Sequence, residues 1–166
     1  MRQLLGAALL AATLAAPAAA QQRQADLHAN YSRGARTHAD AWGAGGNLQL
    51  TWGAKNAPLR IATSAGLDYS KQDLGPTQTN LSYDTTLQPG GGGSLTPYVG
   101  GSAGANWSGG RGKQWNGARL GLEAIAGFQL KLAAMGDLSW KAEERFGYVR
   151  GQEHALATRL GVAMSF

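Results

Sequence analysis

From Ala25 to Phe166, apolar and polar residues alternate in short runs separated by glycine, proline or polar clusters. The last run shows the pattern most clearly. Leu156, Thr158, Leu160, Val162, Met164 and Phe166 share one parity, and Ala157, Arg159, Gly161, Ala163 and Ser165 share the other. A period of two is the mark of a strand whose faces meet different surroundings. Strand 1 sets Ala25, Leu27, Ala29 and Tyr31 against Asp26, His28, Asn30 and Ser32, and strand 2 sets the row from Trp42 to Trp52 against Asn47, Gln49 and Thr51. Strand 3 opposes Leu59, Ile61, Leu67 and Tyr69 to Arg60, Ser64 and Asp68; strand 4 opposes Leu81, Tyr83 and Leu87 to Asn80, Ser82 and Asp84. Strand 5 carries Leu95, Pro97, Val99 and Trp107 among many glycines, and strand 6 opposes Leu120, Leu122 and Phe128 to Arg119, Glu123 and Gln129. Strand 7 sets Leu138, Trp140, Phe146 and Tyr148 against Lys141, Glu143 and Arg145.

Eight such strands form an antiparallel barrel, and the chemistry of the rows says which face is wet. A soluble lipocalin-like barrel would turn its apolar row inward. Here the bulky aromatics gather at both strand ends: Tyr31, Trp42, Tyr69, Trp107, Trp115 and Tyr148 at one, Trp52, Phe128, Trp140 and Phe166 at the other. Two aromatic girdles flanking an apolar band are the pattern of a transmembrane barrel. Trp42 and Trp52 bracket a segment of the length a tilted strand needs to cross a bilayer, about 9–11 residues. The predicted fold is therefore an eight-stranded antiparallel up-and-down transmembrane β-barrel with its charged row in the lumen.

Composition adds a leader to this picture. Arg2, the apolar stretch Leu4 to Ala16 and the small residues Ala18, Ala19 and Ala20 read as a secretory signal peptide over residues 1–20, cleaved before Gln21. Its apolar stretch is too short for a membrane anchor. Residues 21–166 then form the barrel domain. The net charge of +5 falls by one with the leader, and in an exported chain a basic excess points to anionic lipid headgroups rather than nucleic acid. With no cysteine, disulfides, thiol nucleophiles and thiolate metal sites are excluded.

The connections alternate as well. Gly53–Pro58, Pro89–Ser94 and Ala133–Asp137 are predicted as tight turns at one end. Gly34–Ala41, Ser70–Gln78, Ser108–Gln114 and Arg150–Gln152 lie at the other, where only the first two are expected to have real length.

With these rows and the terminal phenylalanine, the chain resembles the small bacterial outer-membrane β-barrels of the OmpX/Ail and opacity-type surface proteins, within the broad outer-membrane beta-barrel domain family. The likeness spans Ala25 to Phe166, and its sharpest element is the end of the chain, with Val162, Met164 and Phe166 in one row. It implies a monomer in the outer membrane of a Gram-negative envelope, with both termini in the periplasm. It implies Val162, Met164 and Phe166 as a signal read by the barrel-assembly machinery. It further implies a non-enzymatic protein of envelope integrity, adhesion or host-factor contact. Carriage of small apolar molecules and deacylase-like modification of lipid A are the alternatives.

Three sets of residues could carry chemistry. Glu123, Glu143, Arg145, Arg159 and His28 fall near mid-height on the inward rows of strands 6, 7, 8 and 1. An eight-stranded interior is just wide enough for side chains to fill, so a polar plug of mutually paired charges is the expectation, with a proton or ion path as its sharper alternative. Glu144 breaks its row, which leaves a bulge, an interfacial position, or a lipid-facing acid near Thr158 and His154. The third set, Arg33, Arg36, Lys71, Arg111, Lys113 and Arg150, lies at the loop rim. It is either an ordinary solvated edge or a contact for lipopolysaccharide phosphates, which guanidinium groups suit. His38 and His154 are too isolated in sequence for a metal site, and no cofactor is expected.

Overall fold

The computed structural model describes residues 22–36, 38–54, 56–72, 75–91, 93–109, 117–132, 136–149 and 154–166. The expected leader, residues 1–20, lies outside them. Eight strands follow in order: β1 (Gln22–Gly34), β2 (Asp40–Trp52), β3 (Leu59–Gln72), β4 (Thr77–Pro89), β5 (Leu95–Gly109), β6 (Arg119–Lys131), β7 (Leu138–Val149) and β8 (His154–Ser165). Each pairs antiparallel with the next, and β1 pairs with β8, closing an up-and-down barrel. Closure leaves no unpaired edge, the condition for strands to cross lipid.

Register keeps like rows together. Leu27 stands opposite Gly46 and Val162, while the adjacent His28 stands opposite Gly45 and Gly161. Slipping one strand by one residue would turn Asp26 and His28 to the outside and Leu27 into the lumen, so the pattern itself specifies the pairing. The turns at one end are closed by glycines in the left-handed region, Gly53, Gly91 and Gly136. Each connects two strands where an L side chain would be strained.

Two expected connections differ. The β3–β4 ladder continues past the apolar band as far as Lys71 opposite Thr77, so Ser70–Gln78 is not a long loop. The widest interval between strands falls instead between Gly109 and Arg119. Backbone pairing needs no apolar side chain, so polar residues extend a ladder that hydropathy alone ends too early.

The barrel is inverted relative to a soluble protein. Its interior buries Asp26, Asp68, Asp84, Glu143, Arg145 and Arg159. Its exterior presents Leu27 at 76% exposure, with Leu67, Leu120, Leu160 and many similar residues around it. A monomer in water rarely shows an apolar patch beyond a few hundred Å², and this one encircles the molecule. Trp42 and Trp52 lie about 33 Å apart along β2 by strand rise. With typical tilt that becomes about 25 Å of height, matching the apolar band of membrane barrels. Tyr31 packs on Trp42 at the loop end, ring centroids 4.6 Å apart. At the turn end Trp52 Nε1 donates to Thr63 Oγ1 at 3.1 Å. Trp115 lies outside the described residues.

The chain end is held rather than frayed. Ser165 N donates to Asp137 O and Phe166 N to Arg23 O, each at 3.0 Å. Phe166 itself stays 68% exposed on the outer wall.

Candidate functional site: the charged lumen

Every strand sends a polar side chain into one connected lumen network. Arg145 on β7, 1% exposed, is its hub. Its Nη1 and Nη2 donate to the two oxygens of Asp84, at 3.2 and 2.5 Å. Nη1 also reaches Glu123 Oε2 at 2.9 Å, and Nε donates to Glu143. The fork geometry of a guanidinium allows one side chain to tie β4, β6 and β7 together.

A second chain of contacts runs from Glu143 around the lumen. Arg159 Nη1 lies 3.6 Å from Glu143 Oε1, and Nη2 donates to Asp68 Oδ2 at 2.5 Å. Asp68 also meets His28 Nε2 at 2.7 Å and accepts from Asn30 Nδ2 at 3.1 Å. His28 Nδ1 meets Asp26 Oδ1 at 2.9 Å, and Lys141 Nζ donates to Asp26 Oδ2 at 3.0 Å. An ionised carboxylate only accepts, so the imidazole satisfies both aspartates when it carries a proton on each nitrogen. Tyr98 on β5 completes the ring, donating to Glu143 Oε2 at 3.1 Å with Lys141 Nζ 5.7 Å from its ring centroid.

Local sequence makes room for the bulky members. His28 has glycine across from it on both neighbouring strands, and a Cβ at Gly161 would stand 2.7 Å from its own Cβ. Tyr98 lies over Gly127, where a Cβ would stand 2.7 Å from the ring. Around Tyr98, Lys141 and Glu143 the remaining cavities are about 10 Å³ each, room for about one water. Mid-lumen is packed.

All five lumen residues singled out from sequence, Glu123, Glu143, Arg145, Arg159 and His28, occur in this network, but their grouping differs. His28 connects to Arg159 only through Asp68, and the bidentate partner of Arg145 is Asp84, on β4. Asp26, Asp68, Asp84, Lys141 and Tyr98 were not singled out as members. Reasoning from adjacent strands misses contacts made across a narrow lumen. The usable signal was present: these carboxylates sit on inward rows, and Tyr98 is a large ring in a row otherwise of small and polar residues.

On the outer wall, Glu144 keeps regular register between Ala126 and Thr158. The bulge that would turn it away from lipid is absent. It is exposed, and Thr158 Oγ1 donates to it at 2.8 Å. His154 stacks on Phe146 at 5.6 Å between centroids and meets Tyr148 at 5.1 Å. Leu156 separates it from Thr158 on the same row, and four residues of strand put the two about 13 Å apart. Hydroxyl, imidazole and carboxylate therefore do not converge as a nucleophilic triad requires.

At the loop end, Arg33 lies two residues above Tyr31 on its row, 3.9 Å from Asp40. Lys71 lies two above Tyr69, and Arg36 is exposed in the β1–β2 turn. Arg111, Lys113 and Arg150 lie outside the described residues. Val162, Met164 and Phe166 form the expected outward row.

No protein-family model matches this chain, and no curated protein matches it. Solved structures do. Neisserial surface protein A superimposes with a TM-score of 0.61 at 16% identity, over 87% of this chain and 96% of that one. The N-terminal β-barrel domain of Pseudomonas aeruginosa OprF gives 0.56 at 19%, over 88% and 100%. The attachment invasion locus protein Ail of Yersinia pestis, in complex with the heparin analogue sucrose octasulfate, gives 0.54 at 14%, over 87% and 97%. At these identities the likeness is one of fold: the chain shares the closed eight-stranded transmembrane β-barrel of these small outer-membrane proteins.

Proposed function

We propose that this chain is an integral outer-membrane surface protein, non-enzymatic and monomeric. In this reading the lumen is a structural plug, and the loop rim engages the phosphates of lipopolysaccharide. The observation that carries the rim assignment is the position of Arg33 and Lys71, on lipid-facing rows directly beyond the aromatic girdle. Long cationic side chains at that height extend toward headgroups while their stems stay on apolar surface. Membrane fractionation and surface labelling of the loop end test the location, and N-terminal sequencing of the mature protein tests cleavage before Gln21. Retention on phosphorylated over dephosphorylated lipopolysaccharide, weakened by combined Arg33→Gln, Arg36→Gln and Lys71→Gln, tests the rim. Equal retention on both would remove it.

The same cations support a second reading, contact with sulfated host glycans, since Ail of similar fold was crystallised with a heparin analogue. Carriage of small apolar molecules finds less support. The strand ladder is continuous around the barrel, and an apolar solute would meet buried charge in the lumen. Planar-bilayer recordings should accordingly show no stable large conductance, and a steady wide channel would refute the plug.

Val162, Met164 and Phe166 are proposed as the signal for barrel assembly. Deleting Phe166 should lower the yield of heat-modifiable barrel while export continues. Unchanged yield would assign Phe166 to the girdle only.

A further inference from the structure

Above the Arg145 and Arg159 layer the lumen opens into a vestibule of about 110 Å³ at the loop end. Its two sides differ chemically. Asn30, Ser32, Ser70, Gln78, Asn80 and Asn106, from β1, β3, β4 and β5, supply amides and hydroxyls. On the other side Ala155 and Ala157 of β8 are small, while Val149 of β7 and the Glu123 side chain, which lies over Gly147, also line the space. The paired charges beneath close its floor, so the space is a blind cup rather than a passage.

Two groups lining the cup have hydrogen-bonding capacity that the protein leaves unused. Asn106, 7% exposed, has a buried Oδ1 without a hydrogen-bond partner. Arg159, 6% exposed, has the same at Nη1, whose Glu143 neighbour at 3.6 Å is beyond hydrogen-bond range. One needs a donor and the other an acceptor. An inorganic anion serves only the second and a metal cation only the first, whereas a hydroxyl serves both. The floor guanidinium of Arg145 is already engaged by three carboxylates, which further disfavours an anion.

We propose that this vestibule binds a neutral hydroxylated ligand, with the chemistry of a single sugar unit or short polyol entering from the loop end. Amide side chains offer a donor and an acceptor side by side, which fits neighbouring hydroxyls. Ala155 and Ala157 leave room for the C–H face of a ring, and the Glu123 carboxylate beside them can accept from a hydroxyl. The cup's volume of about 110 Å³ is somewhat smaller than the 150 Å³ cavity that holds benzene, so one edge of a sugar ring would be held and the rest would project outward. This site is independent of the proposed rim contact with phosphate.

The test uses the purified full chain in phosphocholine micelles, whose headgroups carry no sugar. Side-chain amide resonances are followed by NMR during titration with methyl α-glucopyranoside, methyl β-galactopyranoside and N-acetylglucosamine, and separately with sodium sulfate. At least one sugar should shift the Asn106 amide saturably with a low-millimolar Kd. Asn106→Leu and, independently, Ala157→Phe should weaken binding at least tenfold, read from backbone resonances around the cup with heat modifiability unchanged. Lys71→Gln at the rim should leave it intact. The proposal fails if none of the three sugars gives a saturable shift, or if sulfate shifts the same resonances more strongly. It also fails if binding survives both cup variants.

Discussion

The lumen and the outer wall are built by the same strands, one residue apart, yet they obey different rules. At mid-lumen the charges have named partners: Arg145 with Asp84, Glu123 and Glu143, Arg159 with Asp68, Lys141 with Asp26. Arg60, lower on β3, is the exception, with Nε and Nη2 buried and without a hydrogen-bond partner. Outside, Leu27, Leu67, Leu120 and Leu160 need only be apolar, because lipid makes no directional demand. Substitution should therefore be tolerated by class on the wall and by identity in the lumen.

The largest effect is expected at the hub. Arg145→Met leaves Asp84, Glu123 and Glu143 without their shared cation, and breaking a buried pair in this way costs about 3–5 kcal/mol. Adding Asp84→Asn should recover part of that loss and not all, because two carboxylates still lack the guanidinium. Heat modifiability and urea unfolding in micelles measure it. Losses that are strictly additive would mean that these two side chains do not interact.

A smaller loss should follow from putting charge on the wall. Leu27→Arg, near the middle of β1, should cost about 2–4 kcal/mol if that position is at bilayer mid-depth. Leu27→Val should be nearly silent, since any apolar side chain serves there. If the valine variant lost as much as the arginine variant, the wall would be specific after all.

Third comes the space around His28. Gly45→Ala brings a Cβ to 2.7 Å from His28 Nε2, against a lumen that is already full. Overpacking of this kind costs about 1–3 kcal/mol. The His28 side-chain resonances should move with the loss in stability. A silent Gly45→Ala would show that the imidazole has room to turn.

These contrasts also explain what could be read in the sequence. The outward rows, the two girdles and the strand count follow from period two and aromatic position, which are local properties. The positions of Glu123, Glu143, Arg145, Arg159 and His28 on inward rows follow from the same parity. Their partners do not. Asp84 meets Arg145 across the lumen, and Asp68 links His28 to Arg159, because strand stagger and barrel closure bring distant residues together. Hydropathy also stopped β3 and β4 short, since Lys71 and Thr77 pair through backbone with no apolar side chain to announce it.

The smallest expected effect lies at Glu144, an acid within the apolar band of the outer wall. Glu144 stands in the row of Ala142 and Phe146, with Thr158 Oγ1 donating to it at 2.8 Å. A carboxylate on a lipid face is unfavourable, though less so than a cation. Against that, one hydrogen bond between exposed side chains contributes about 0.5–1.5 kcal/mol. The two terms are of opposite sign and similar size. Glu144→Leu should therefore change stability by less than about 1 kcal/mol, with a slight gain favoured because the freed Thr158 hydroxyl can bond to nearby backbone. Glu144→Gln, which keeps a hydrogen bond and removes the charge, should do no worse than Glu144→Leu. Urea unfolding of the two variants in micelles and in vesicles makes the measurement. A loss above about 1 kcal/mol for leucine but not glutamine would make the Glu144–Thr158 bond a specific contact, and the generic character of the wall would end at β7 and β8.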